Sequence, residues 1–136
     1  FENSMLDSNG AWVAAKNGKH EWMQIDLQSP MHIEGSITQG HDAGKAKEYV
    51  NKYEVQYSLD GLWWRRVGGD FEANEDAGSR VQNRFPRSVV ARYVRLLPLT
   101  WKSRISMRAG LSICKAPEYG DKSKEAAVPT PRQTLA

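Results

Sequence analysis

Apolar and polar residues alternate along most of this chain with a period of two, the period of a strand that buries one face. In EWMQIDL (21–27), Met23, Ile25 and Leu27 fall on one side and Trp22, Gln24 and Asp26 on the other. MHIEGSITQ (31–39) repeats the pattern, setting Met31, Ile33, Gly35 and Ile37 against His32, Glu34 and Ser36. KYEVQYS (52–58) directs Tyr53, Val55 and Tyr57 inward, and Asp60-Gly61 supplies the turn of a hairpin. RSVVARYVRLLPLTW (87–101) and ISMRAGLSIC (105–114) complete the strand set. No segment before residue 114 reads as a helix of three turns. The prediction is therefore all-β, a sandwich or jelly roll that conceals its edges by packing two sheets face to face.

One stretch strains this reading. YEVQYSLDGLWWRRV (53–67) places Trp63 and Trp64 side by side just past the turn, and adjacent strand residues point to opposite faces. Strict alternation groups Trp63 with Val67 and Trp64 with Arg66. Turning Trp64 inward together with Val67 requires a bulge near Arg65.

Composition narrows the class. The 136 residues, 40% of them hydrophobic, are the size of one domain with its own core. A net charge of +3, from 19 basic and 16 acidic residues spread along the chain, is no nucleic-acid signature. No apolar run approaches the roughly 20 residues of a membrane span, and FENSMLDSNG lacks the basic and apolar regions of a signal peptide. Residues 1–115 read as the domain and 116–136, rich in proline and charge with almost no large apolar side chains, as a linker or tail. Catalysis finds no nucleophile beside a base and no clustered His and Cys ligands; His20, His32 and His41 lie on separate elements. No enzyme activity and no cofactor are expected. The acidic loop with Asp70, Glu72, Glu75 and Asp76 is the one candidate for calcium, but its spacing is not that of an EF-hand and such loops are ordinarily just solvated.

LDSNGAW (6–12), EWMQIDLQSP (21–30), ITQG (37–40), YVNKYEVQYSLDGLWW (49–64), NRFPRSVVARYVRLLPLTW (83–101) and ISMRAGLSIC (105–114), taken in order, resemble the discoidin domain family, also called the coagulation factor V/VIII type C domain. The resemblance implies an eight-stranded jelly roll of two antiparallel sheets, galactose-binding-like. It also implies that the usual first strand and first protruding loop belong upstream of Phe1. In the family pattern Trp64 looks like a core filler, which leaves Trp63 as the surplus aromatic: half-covered by a loop or an arginine stem, touching a ligand, or meeting a neighbouring domain. Cys114 matches the family's closing cysteine, so its expected partner is a cysteine outside this segment. That disulfide implies an extracellular or cell-surface setting; an inert buried thiol is the alternative. No Asn-x-Ser/Thr sequon adds to it.

The resemblance also places function on loops at one end of the jelly roll, where a rigid scaffold presents them. Asp7, with Asn9 in the same loop, matches a position that relatives present to ligand, although Asp7 serves equally as a turn cap. His41, Asp42, Lys45, Lys47 and Glu48 match the second protruding loop, with His41 standing where collagen-binding relatives carry arginine. Trp101, Lys102 and Arg104 match the loop before the last strand, where Trp101 either touches a partner or covers the end of the barrel. The expected ligand is an extracellular protein or glycan, recognised by a non-catalytic adhesion module within a longer chain. The alternative is a phosphatidylserine membrane. Relatives that bind it insert large apolar residues at the second loop's tip, whereas here Gly44 and Lys45 stand there, leaving the basic residues to attract an anionic surface at about 1 kcal/mol per charge.

Overall fold

A computed structural model describes residues 4–44 and 46–114. The tail expected at 116–136 and Lys45 lie outside the described residues. The strands are β1 (Trp12–Val13), β2 (Met23–Gln39), β3 (His41–Asp42), β4 (Lys47–Ser58), β5 (Arg65–Arg66), β6 (Phe71–Glu72), β7 (Val81–Lys102) and β8 (Ser106–Cys114). Every pairing is antiparallel, in the order β1-β8-β2-β7-β4-β3, with β5 and β6 added along β4. This is the expected all-β jelly roll, formed by one sheet that curls until β4 faces β8 across the interior. Among the described residues no helix is long and apolar enough to cross a membrane.

The first half of β2 follows the alternation. Met23, Ile25 and Leu27 are each 1% exposed. Met23 sits opposite Leu96 and Ile25 opposite Val94, and Val55 of β4 borders Leu96 from the other side. Asp26, on the outer side, receives both Nε and Nη2 of Arg92, at 2.8 and 3.1 Å. The strand then steps out of register between Asp26 and Met31, where Gln28 takes a left-handed backbone (φ 72°) and its N–H donates to Asp26 Oδ1 at 2.7 Å.

The second half departs from the sequence reading. Between Ile33 and Gly35 β2 advances two residues while β8 advances one, from Ile113 to Ser112, so Glu34 is the extra residue of a bulge. A bulge inverts parity. Ser36 and Thr38 consequently point inward and are fully buried, whereas Ile37, expected on the core face, is only half-buried. Buried hydroxyls need partners. Ser36 Oγ lies 2.7 Å from Tyr53 Oη, and Thr38 Oγ1 donates to Asn74 Oδ1 at 2.8 Å.

The double tryptophan is also resolved differently. Tyr57 pairs with Arg65 and Gln56 with Arg66, with no bulge at Arg65, so strict alternation holds and Trp64 faces outward with Arg66. Trp64 is not a core filler. Its ring and that of Trp22 both lie 3.9 Å from the guanidinium carbon of Arg95, which is sandwiched between them, while Arg95 Nε donates to Gln24 at 2.9 Å. Desolvation between the two rings lowers the Arg95 pKa. Trp63 has the inward parity of Val67 but sits in the turn before β5 begins, beyond the last residue able to cover it. It is 81% exposed, so the half-covered reading fails. Asp60 fixes this turn, its Oδ1 accepting from the N–H groups of Leu62 and Trp63 and from Ser58 Oγ at 2.8, 3.0 and 3.1 Å.

Candidate functional site

The inverted end of β2 builds a polar hub. Gln39, only 3% exposed, accepts the Asp7 N–H at Oε1 (2.7 Å) and donates from Nε2 to Asp7 Oδ1 (3.0 Å) and to the Gly78 carbonyl (2.8 Å). Asn74 donates to the carbonyls of Thr38 and Ser79, at 3.0 and 2.8 Å. Arg108 of β8 reaches the carbonyls of Gly40, Ser8 and Ala77 at 2.9, 2.8 and 2.9 Å. The loops 4–10, 39–41 and 74–80 are thereby tied together at one pole. Gly40 is obligatory in this arrangement, because a Cβ there would lie 2.6 Å from Tyr49 Cβ and 2.8 Å from the Asp76 carbonyl.

From this hub β3 and β4 project as a hairpin, with His41 opposite Glu48 and Asp42 opposite Lys47. Asp42 shapes its tip, accepting from Gly44 N–H at 3.0 Å and from Lys47 Nζ at 3.2 Å; these two contacts, the backbone one foremost, hold its pKa down. At the base, the Glu48 carboxylate is 5% exposed, with His41 Nδ1 and Arg104 Nη1 each 3.9 Å away on opposite oxygens. Neither contact is a hydrogen bond. His41 Nδ1 is itself buried without a hydrogen-bond partner. Arg104 arrives through a tight turn in which Ser103 has φ 64° and Arg104 N–H donates to the Lys102 carbonyl at 2.8 Å. Asn17 pins the turn from below, accepting Ile105 N–H at 3.0 Å.

The residues expected from the sequence divide accordingly. His41, Glu48 and Arg104 come together. Trp101, paired in register with Val50, is half-buried and packs against the core, and Lys102 beside it is exposed. Asp7 is engaged on both oxygens, by Gln39 and by Arg80, and the Arg80 contact is the leading cause of its lowered pKa. Its backbone is left-handed, with φ 64°, while its carboxylate is held by side chains; Asn9 in the same loop is exposed. The four acids of the calcium candidate do not converge. Asp70 pairs with Arg66, Glu72 with Lys52, and Asp76 caps Gly78 and Ser79, while Glu75 is exposed. Among the described residues no three potential metal ligands form a group. Cys114 is a half-buried thiol whose pKa is pushed up, first by burial and then by Glu34, so little thiolate forms at neutral pH.

The sequence reading missed Gln39, Asn74, Arg80 and Arg108, the residues that join the loops, because each meets a partner across 31 or more residues of chain. It also missed a shallow polar cleft of about 510 Å³ beside Thr100, lined by Asn51, Lys52, Glu72 and Glu75.

Known proteins resemble this chain in both sequence and fold. The F5/8 type C domain profile matches residues 2–111. Lactadherin of Rattus norvegicus is 40% identical over 118 residues, covering 80% of this chain and 27% of lactadherin, so the chain spans about a quarter of that relative. Discoidin II of Dictyostelium discoideum superposes with a TM-score of 0.76 at 25% identity, covering 88% of this chain and 52% of its own. A module from Clostridium perfringens, solved in complex with GalNAc-β-1,3-galactose, shares the fold at a TM-score of 0.59 and 21% identity, over 74% of this chain and 70% of its own. The extracellular setting expected from the resemblance is that of relatives such as lactadherin, which are secreted or cell-surface proteins. With its antiparallel jelly roll and a profile match over most of its length, the chain belongs to the F5/8 type C, or discoidin, domain family.

Proposed function

We propose that this chain is a non-catalytic binding module that recognises a glycan through the pole formed by the β3–β4 hairpin and the loop 101–105. One observation carries the reading: the Glu48 carboxylate, 5% exposed, and the His41 Nδ1, buried without a hydrogen-bond partner, face each other at 3.9 Å, too far for a hydrogen bond. A buried carboxylate without close donors costs free energy, and a ligand hydroxyl that donates to Glu48 relieves it. Sugars supply such hydroxyls beside an apolar face, for which Trp101 stands on β7, the strand next to Glu48, opposite Val50. Asp42, Lys47, Lys102 and Arg104 form a charged rim that selects among ligands, with Asp7, Asn9 and Lys45 as outer candidates. The sugar bound to the Clostridium perfringens module supports the reading, in that this fold can host one. The hairpin tip between Ala43 and Ala46 offers no large apolar side chain among the described residues, which weakens the phosphatidylserine alternative at this pole.

A glycan array followed by calorimetry tests the proposal. Glu48→Gln and Trp101→Ala should each weaken binding at least about tenfold, the effect of losing roughly 1.4 kcal/mol. Full-strength binding by both variants, or saturable binding to matrix proteins without any glycan, overturns it. The disulfide from Cys114 to a cysteine elsewhere in a longer chain belongs to the same extracellular reading. Non-reducing peptide mapping of native material that finds a free Cys114 thiol removes it.

A further inference from the structure

Among the described residues four large apolar side chains stand exposed, Leu59, Leu62, Trp63 and Val90, at 56%, 78%, 81% and 41%. They gather at the end of β4 remote from Glu48, where Leu59, Trp63 and Val90 line a shallow hollow of about 200 Å³ together with Arg65. An adjoining cleft of about 610 Å³ is lined by residues 65–68 on one side and 86–90 of β7 on the other, Arg65 and Arg87 among them. Both arginines are exposed, and among the described residues neither has a carboxylate within ion-pair distance, whereas the neighbouring Arg66 is held by Glu54 and Asp70. Asp60, the acid of this turn, already accepts three intrachain hydrogen bonds at one oxygen. An occupant of this surface must bring both an apolar group and anions.

The last described strand ends beside it. Cys114, the final residue of β8, pairs with His32 of β2, and His32 pairs with Val90 of β7, so the three stand in one row across adjacent strands. At about 4.8 Å between neighbours the row is about 10 Å long, and three residues extended at about 3.3 Å each span it. The sequence that follows, KAPEYGD (115–121), therefore brings Glu118, Tyr119 and Asp121 within reach of the hollow. Its stretch 116–121 holds two acids, one aromatic ring and no base, the complement of an apolar hollow flanked by two unmatched arginines. So short a tether also keeps the segment at high local concentration. Face-to-face docking of two copies of this pole is a poorer fit, since it sets the arginines of one against those of the other. We propose that the chain's own segment 116–121 docks on this pole, the Tyr119 ring entering the hollow beside Leu59 and Val90 while Glu118 and Asp121 pair with Arg65 and Arg87. The inference uses none of the residues of the glycan reading, and it leaves the His41–Glu48 pole open to ligand.

Amide hydrogen exchange on the full chain is the test. Exchange at 118–121 should be at least about fivefold slower than in the same segment as a free peptide. Arg65→Glu with Arg87→Glu should return it to the free-peptide rate. Adding Glu118→Arg with Asp121→Arg to that variant should restore the slowing, a rescue that only paired charges give. Tyr119→Ala, which leaves every residue of the jelly roll in place, should release the segment as well. Free-peptide exchange in the native chain overturns the proposal, as does slowing that survives either the arginine or the Tyr119 variant, or a reversed set of charges that fails to restore it. Slowing that disappears on dilution assigns the segment to the pole of a second copy and also overturns it.

Discussion

The two halves of β2 carry the same apparent pattern and reach opposite results. From Met23 to Leu27 each alternate residue is apolar and buried, and the strand does what its sequence announces. From Gly35 to Gln39 the buried side chains are those of Ser36, Thr38 and Gln39, and the apolar Ile37 lies at the margin. Glu34 makes the difference, by adding one residue that β8 does not match. The first half contributes core; the second contributes a hydrogen-bonded hub that sets the loops of the candidate site in place. Hydrophobic alternation thus locates the stable end of the molecule, and its failure locates the end where loops are organised.

The largest expected effect comes from breaking the apolar half. Leu27→Ala should destabilise the fold by about 2–5 kcal/mol, since it empties a fully enclosed site, as read by the chemical denaturation midpoint. The same truncation at Ile37 should cost clearly less, and equal losses would erase the distinction between the halves. Next in size is the hub. Asn74→Ala strands the Thr38 hydroxyl and carbonyl and should cost about 1–3 kcal/mol while also loosening loop 74–80, measurable as faster amide exchange there. A neutral result would mean that the inverted half needs no internal partners.

The hairpin gives a smaller contrast. Trp64→Ala removes half of the stack around Arg95 and should cost about 1–2 kcal/mol, whereas Trp63→Ala should fall within about 0.5 kcal/mol of zero. The reverse ranking would return Trp63 to the core. Smallest is the acid response of the hub's outer edge. Asp7 and Asp76 have pKa values lowered below 3.8, chiefly by Arg80 and Ser79 respectively. Their contribution is therefore complete above the unfolded value of 3.8 and is lost as pH falls through the depressed folded values. In a thermal series between neutral and acid pH, Asp7→Asn should flatten the decline below about pH 4. An unchanged slope would show that Arg80 adds nothing there.

Much of this was legible from the residues. The succession of strands along the chain and the turn at Asp60-Gly61 follow from short-range patterns, which depend on neighbours a few positions away. The resemblance placed His41 and Glu48 in one protruding loop, and they do face each other across the β3–β4 hairpin. Arg104 was named as well, though only the turn at Ser103 explains how it reaches Glu48. The partners of Asp7 were not legible: Gln39 lies 32 residues away and Arg80 lies 73, and nothing local marks either. Trp64 was misread because a tryptophan beside a turn was credited to the core before a surface arginine.

The sequence by itself determined the strand period and the all-β class, because alternation and turn residues act within a few positions of the chain, and the resemblance of its ordered motifs gave the family. Only the tertiary structure decided which face of each strand is inside after an extra residue, since that depends on the neighbouring strand's register and β2 has no local record of β8. It also decided which charges are matched. Arg92 finds Asp26 across 66 residues and Arg66 finds Glu54 and Asp70, while Arg65 and Arg87 find no carboxylate among the described residues. Charge pairing is a property of distances in space, and those are set only when the sheet has closed.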